Sequence, residues 1–357
     1  MAESRLIKIT NVKLSPNPVT TKGSYLVQVS IESAPVWLDY PYDYAYDYTK
    51  GEEDMDVSTI KATVNGQEIT LTRNGQTNEW TANTTAPAKS SYNQIGHYYP
   101  VTVKATDVAG NSTEVDSTHA TLGTSLRLVV KEKVAPVITI SSPSAGAYLT
   151  NNKPTITWTV TDDDSGVNPD TIGITIDSGS KITGSSIAKN PITNGYSCSY
   201  TPGTALDDGA HTIKVDASDN DGNAAAQKSV AFTVDTVPPT LSVTSPEEGY
   251  VTNATDITVT GITNDETSSP VTLTIKLNNG AATPVTVQSN GSFSKQLTLA
   301  EGENTIVVTA TDSAGKASTV TRHVTLGTTP PQILSVTIEP NPVDAGATYV
   351  ITVEVAD

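Results

Sequence analysis

The chain has 357 residues and a formal net charge of −17, carried by 38 acidic against 21 basic residues. No Lys/Arg cluster is present that could track a phosphate backbone, which excludes nucleic acid as an expected partner, and no window approaches the ~20 consecutive apolar residues of a membrane span. The single cysteine, Cys198, excludes an intrachain disulfide.

Phenylalanine and methionine are scarce, at two residues each, and the apolar content is mostly Val, Ile, Leu, Ala and Tyr with abundant Thr. These residues suit a pleated, half-buried surface. The 21 prolines and 24 glycines interrupt the β-branched runs about as often as short strands need turns. No stretch has helical periodicity, so the expected class is all-β.

From the N-terminus, Met1 to Thr10 enters a strand pattern with no apolar segment of signal-peptide length, from which assembly in the cytoplasm without conventional export is expected. Alternation continues through Ile9, Val12 and Leu14, crosses Pro16-Asn17-Pro18-Val19, and resumes at Tyr25, Val27, Val29 and Ile31.

The next segment departs from the pattern. Trp37-Leu38-Asp39-Tyr40-Pro41-Tyr42-Asp43-Tyr44-Ala45-Tyr46-Asp47-Tyr48 is followed by the acidic Gly51 to Asp56. If this segment is extended, its five tyrosines share one face and Asp39, Asp43 and Asp47 share the other. Tyrosine combines large apolar area, a polar tip and few rotors. Trp37, Tyr40, Tyr42, Tyr44, Tyr46 and Tyr48 are therefore the candidate contact surface, against packing on their own sheet as the plain structural alternative.

Further along, one phrase returns three times, as VTVKATDVAGN at 101 to 111, IKVDASDNDGN at 213 to 223 and IVVTATDSAGK at 306 to 316. A β-branched run ending in Ala-x-Asp and a glycine reads as a strand entering a tight turn, in which the aspartate bonds backbone amides and the glycine takes positive φ. Proline junctions also repeat, at Val134-Ala135-Pro136, Val237-Pro238-Pro239 and Thr329-Pro330-Pro331, each ahead of an apolar strand. Ile140-Ser-Ser-Pro143 through Asn151 matches Val243-Thr-Ser-Pro246 through Asn253, read as a first strand, a proline-glycine crossing and a second strand.

Together these divide the chain into residues 1–133, with the Tyr/Asp-rich insertion at about 37–56, then 134–236, 237–329 and 330–357. The last piece repeats the opening at a constant offset, Ile333, Val336 and Ile338 matching Ile9, Val12 and Leu14, and reads as the first two strands of an incomplete fourth sandwich. Two strands bury no core unaided. Truncation of a longer chain or strand addition to another element are the two alternatives.

Clustered carboxylates in the turns of 134–236 raise calcium, with Asp162, Asp163, Asp164, Asp219 and Asp221 as candidate oxygen ligands, although the EF-hand pattern is absent and aspartate is an ordinary turn residue. No other cofactor is indicated. His97, His119, His211 and His323 are scattered, and neither an HExxH nor a G-x-S-x-G motif occurs. The expectation is a protein that is not an enzyme. Trp80 and Trp158 lie in strand-like contexts and are expected in cores, as is Cys198, which shares a strand face with Tyr196 and Tyr200.

The A-x-D-x-x-G-N phrase, the D-x-x-P-P junction at Asp235 to Pro239 and the S-P-x-x-G openings resemble tandem bacterial immunoglobulin-like domains, best over 135–329. The opening N-V-K-L-S-P-N-P-V is similar to proteins of bacteriophages and phage-tail-like particles. The resemblance implies immunoglobulin-like β-sandwiches in tandem, arranged as an elongated rod that acts as spacer and weak host-surface binder. Implied partners are other particle proteins or copies of the chain itself, with host-surface glycans or proteins further out. The implied location is a virion or tail-like particle. A bacterial surface adhesin or filament subunit, extracellular or on the cell surface, is the alternative.

Overall fold

The computed structural model describes residues 6–34, 57–327 and 331–356. The Tyr/Asp-rich segment with Trp37, Tyr40, Tyr42, Tyr44, Tyr46 and Tyr48 lies outside the described residues. Apart from short 3-10 turns, the described regular structure is β throughout, in agreement with the all-β expectation.

The first ten strands are β1 (Leu6–Ser15), β2 (Val19–Thr20), β3 (Ser24–Ala34), β4 (Val57–Val64), β5 (Gln67–Arg73), β6 (Glu79–Thr85), β7 (Tyr99–Asp107), β8 (Ser112–Val115), β9 (Arg127–Leu128) and β10 (Val130–Lys131). They pair in the order β1-β3-β6-β5-β4-β7-β8, with β9 on β7 and β10 parallel to β2. Alternate residues of these strands, among them Val12, Val27, Val29, Ile60, Trp80, Val101 and Val103, enter one buried cluster. The period-2 pattern thus becomes a core because one face of each strand is apolar.

The next strands are β11 (Val137–Ser142), β12 (Tyr148–Leu149), β13 (Ile156–Thr161), β14 (Val167–Ile176), β15 (Ala188–Ile192), β16 (Gly195–Tyr200), β17 (Gly209–Asp219) and β18 (Lys228–Val234). They form two four-stranded sheets, β11-β13-β16-β15 and β12-β18-β17-β14. On β13, Ile156, Trp158 and Val160 are buried, and Trp158 stands opposite Cys198 of β16. Gly195 is a position of close approach, since a Cβ there would lie 2.0 Å from the Val160 carbonyl oxygen.

The architecture repeats in β19 (Thr240–Ser245), β20 (Tyr250–Thr252), β21 (Asp256–Asn264), β22 (Thr272–Leu277), β23 (Thr283–Val285), β24 (Ser292–Thr298), β25 (Gly302–Thr311) and β26 (Ala317–Leu326). The sheets are β19-β21-β24 and β20-β26-β25-β22-β23. Val243, Val259, Leu273, Ile275, Phe293, Ile306, Val308 and Val324 form their shared core. This is the tandem β-sandwich expected from the sequence.

One element differs in role from the sequence reading. The short run after each proline-glycine crossing, β12 or β20, leaves the sheet of the first strand and pairs in parallel with the last strand of the opposite sheet, β18 or β26. A glycine makes the crossing possible: Gly146 and Gly249 have φ of 74° and 75°, and their amides bond Ala231 and His323 carbonyls.

The final pair, β27 (Gln332–Glu339) and β28 (Val350–Ala356), reproduces β1 and β3 down to the register. Ile333 faces Val355 and Val336 faces Val353, as Ile9 faces Ile31 and Val12 faces Val29, and both pairs carry a register shift just after the first isoleucine. The apolar positions buried in the first copy are exposed in the last, with Val336 at 55% and Val12 at 2%.

By compactness the chain divides into two units. One gathers Met1–Ser142, Ile156–Tyr200 and Ile213–Ser229, the other Pro143–Thr155, Thr201–Thr212 and Val230–Asp357. Within the second unit, Ile306 of β25 is fully buried against both sheets. Ile306→Ala is expected to lower stability by about 2–5 kcal/mol in denaturant unfolding, through lost apolar transfer and the cavity left behind. A change below about 0.5 kcal/mol would mean the core there is not closed.

Candidate functional site

The recurrent Asp-Gly phrase closes the same turn three times. Asp107 Oδ1, Asp219 Oδ1 and Asp312 Oδ1 each accept from the amide four residues on, at Asn111, Asn223 and Lys316, at 2.7–2.8 Å. In the first turn the Asp107 carboxyl is held below the usual carboxylate range by these bonds, chiefly that of the Asn111 side chain.

In the second and third turns the aspartate does more. Asp219, the last residue of β17, is 1% exposed and meets Glu132, just after β10, and Asp162, just after β13. Asp312, just after β25, meets Asp235, just after β18, and Asp265, just after β21. In each triad all three residues are buried and one oxygen of each lies within 4.8 Å of the others. The first triad lies in the first compact unit and the second in the second.

The triads are built alike. In both, one acid comes from the segment that follows the preceding strand, one from the loop after a sheet strand, and one from the Asp-Gly turn. Backbone amides hold the carboxylates. Asp162 Oδ1 accepts from Asp164 and Gly166 at 3.1 and 2.7 Å, and Glu132 Oε1 accepts from Ser165 at 2.6 Å. Asp265 Oδ1 accepts from Thr267 and Ser268 at 2.8 and 2.7 Å, and the Ser268 hydroxyl donates to Asp235 Oδ2.

Electrostatics within a triad are unfavourable. Two unit charges about 4 Å apart repel by about 4 kcal/mol at an effective dielectric of ~20, and no ion pair found among the described residues reaches these six carboxylates. Burial, opposed by the Ser165 hydrogen bond and reinforced by the charges of Asp162 and Asp164, pushes the Glu132 carboxyl above its ordinary value. The donor set is oxygen only, which suits a hard cation and not zinc.

Of the five aspartates the sequence singled out, the structure brings Asp162 and Asp219 together. Asp163, Asp164 and Asp221 serve as hydrogen-bond acceptors nearby. Asp163 Oδ1 accepts from Asn194 Nδ2 at 2.6 Å, Asp164 Oδ1 from the Ser90 amide at 3.0 Å, and Asp221 Oδ2 from the Glu132 amide at 2.9 Å. Sequence reasoning missed Glu132, Asp235, Asp265 and Asp312 as members of a cluster. The signal that finds them is the pairing of the linker acid with the repeated turn aspartate.

The histidines do not converge. His97 stacks on Tyr92, His119 Nδ1 accepts the amide of Leu122, and His323 on β26 pairs with Glu248 at 2.7 Å. That exposed pair raises the His323 pKa and lowers that of Glu248.

Comparison with known proteins agrees with the sandwich architecture. Residues 136–215 match the family model described as "Bacterial Ig domain", and residues 239–328 match "Glucodextranase, domain B". Bacillopeptidase F of Bacillus subtilis (strain 168) is 32% identical over 120 residues, 34% of this chain and 8% of that protein. Among solved structures, the titin I-band fragment I67-I69 covers 91% of this chain and 99% of its own, at 14% identity and TM-score 0.45. A structure from a 1.5-MDa bacterial ice-binding adhesin covers 91% and 100%, at 19% identity and TM-score 0.31. Residues 136–215 are thus similar to a bacterial immunoglobulin-like domain, and the paired sheets of β11–β18 and β19–β26 have the serial sandwich architecture that the repeats implied. No helix among the described residues is long and apolar enough to cross a membrane.

Cys198, 2% exposed and opposite Trp158 on the neighbouring strand, has its thiol pushed up to about 11 by burial. Thiolate, the reactive form, is then scarce at pH 8. Iodoacetamide should label the folded chain at least 100-fold more slowly than the urea-unfolded chain; equal rates would contradict its burial.

Proposed function

We propose that this chain is a non-enzymatic structural and adhesive protein, in which immunoglobulin-like sandwiches set in series at 1–133, 134–236 and 237–329, with part of a fourth at 330–357, act as spacers and carry contact surfaces. The observation that carries this reading is how the segment after β10 is fastened to loops beyond it. The Glu132 amide donates to Asp221 Oδ2, the Lys131 ammonium to the Asp221 carbonyl, Asn223 Nδ2 to the Glu132 carbonyl, and the Ser165 amide to Glu132 Oε1. A connection held at several points resists bending, which a spacer needs and a freely jointed linker does not provide.

Two biological settings share this mechanism. In one, the chain is displayed at a bacterial surface as an adhesin or filament subunit, a setting compatible with the bacterial Ig match over 136–215. In the other, favoured by the opening phrase at 11–19, it is a tail-associated or fibre-like part of a phage or tail-like particle, where its partners are other particle proteins or its own copies. In both, weak contacts gain strength from many copies. Immunogold labelling of the native source separates them: label on tails or baseplates supports the particle, label on cell envelopes supports the adhesin, and label confined to soluble enzyme fractions contradicts both.

The contact surface in this proposal is the aromatic row Trp37, Tyr40, Tyr42, Tyr44, Tyr46 and Tyr48. Replacing Tyr42, Tyr44 and Tyr46 together with serine is expected to reduce binding to the native particle or cell surface by at least tenfold, with Tm moving by less than about 2 °C. A large fall in Tm without a specific binding defect would make the row structural.

A further inference from the structure

The two carboxylate triads stand beyond what a spacer requires, and their equivalence is the starting observation. Glu132, Asp162 and Asp219 correspond one for one to Asp235, Asp265 and Asp312, and the serine that follows the middle acid by three residues corresponds as well, Ser165 to Ser268. A chance cluster of turn aspartates is not expected to recur with a linker acid, a loop acid, a turn acid and a serine in the same places.

A second, independent observation points to a ligand. Asp312 is 6% exposed and its Oδ2 is buried without a hydrogen-bond partner, inside the second triad. In the first triad the buried Ser165 hydroxyl, beside Glu132, also lacks a partner. Buried polar atoms are nearly always satisfied, and an unpaired carboxylate oxygen on a residue that meets two further buried carboxylates calls for a positive charge. Neither lysine nor arginine supplies it among the described ion pairs.

We infer that the two triads are a matched pair of divalent-cation sites of the calcium type, one at Glu132/Asp162/Asp219 and one at Asp235/Asp265/Asp312. Calcium takes oxygen ligands at about 2.3–2.6 Å, so ligands on opposite sides of the ion stand about 5 Å apart. Oxygens that all lie within 4.8 Å of one another fit around one such ion. Magnesium requires tighter, near-ideal octahedral geometry and keeps its waters. Each ion would join the segment after one strand run to two loops of the sandwich that follows, so that binding fastens the connection.

The test uses the full chain, freed of metal with EDTA and titrated with calcium chloride in a calorimeter. Two equivalents are expected to bind, with Tm rising by roughly 5 °C at saturation and magnesium chloride giving a smaller rise. Asp162→Asn and Asp312→Asn should each leave one equivalent, and the double variant none. In EDTA each single variant should keep the parent's circular dichroism and a Tm no lower than the parent's, because each removes a like charge. Limited proteolysis gives a second readout, with cleavage near residues 132–136 and 235–239 slowed by calcium. No saturable binding up to about 10 mM calcium, or two-site binding that survives in the double variant, would overturn the inference.

Discussion

One-sided burial of β-branched strands is the constraint on which the structure depends. Each strand carries an apolar row that must face another sheet, and a sandwich is the smallest arrangement that satisfies both rows at once. The final hairpin shows the constraint by contrast. Its residues copy β1 and β3 in register, yet with no opposing sheet among the described residues the row Val336, Ile338, Ile351 and Val353 stays open to solvent.

Once the sandwich is fixed, its turns inherit fixed places, and that is what makes the acidic residues meet. The Asp-Gly phrase must close a tight turn, and its aspartate accepts the amide four residues on. At the same end of the sandwich lie the loop after β13 or β21, the second strand of the opposite sheet, and the segment arriving from the preceding strands. Three acids far apart in sequence become neighbours because the topology brings three chain segments to one edge. A turn residue chosen for local geometry thereby joins a shared electrostatic site at 219 and 312, whereas Asp107 is half-buried and belongs to no such triad among the described residues.

Much of the fold was legible in the sequence because period-2 alternation, proline junctions and the Asp-Gly phrase each have a local physical cause. The core roles of Trp80, Trp158 and Cys198 followed from the same alternation. The parallel crossing of β12 and β20 was not legible, since runs of two or three residues carry no measurable period. The triads were half legible. Asp162 and Asp219 stood out as clustered acids, whereas Glu132, between Lys131 and Lys133, reads as one charge in a solvated run. Its burial is a tertiary fact, set by the Ser165 amide and by the loop that covers it.

Serial sandwiches with fastened connections make a mechanical claim, and single-molecule stretching of the full chain tests it most directly. The sandwiches should unfold in separate steps, those at 134–236 and 237–329 each releasing about 30–35 nm of chain and the longer one at 1–133 about 45 nm, at ~3.3–3.6 Å per residue. One cooperative event releasing the whole chain, or a featureless extension without force peaks, would contradict it.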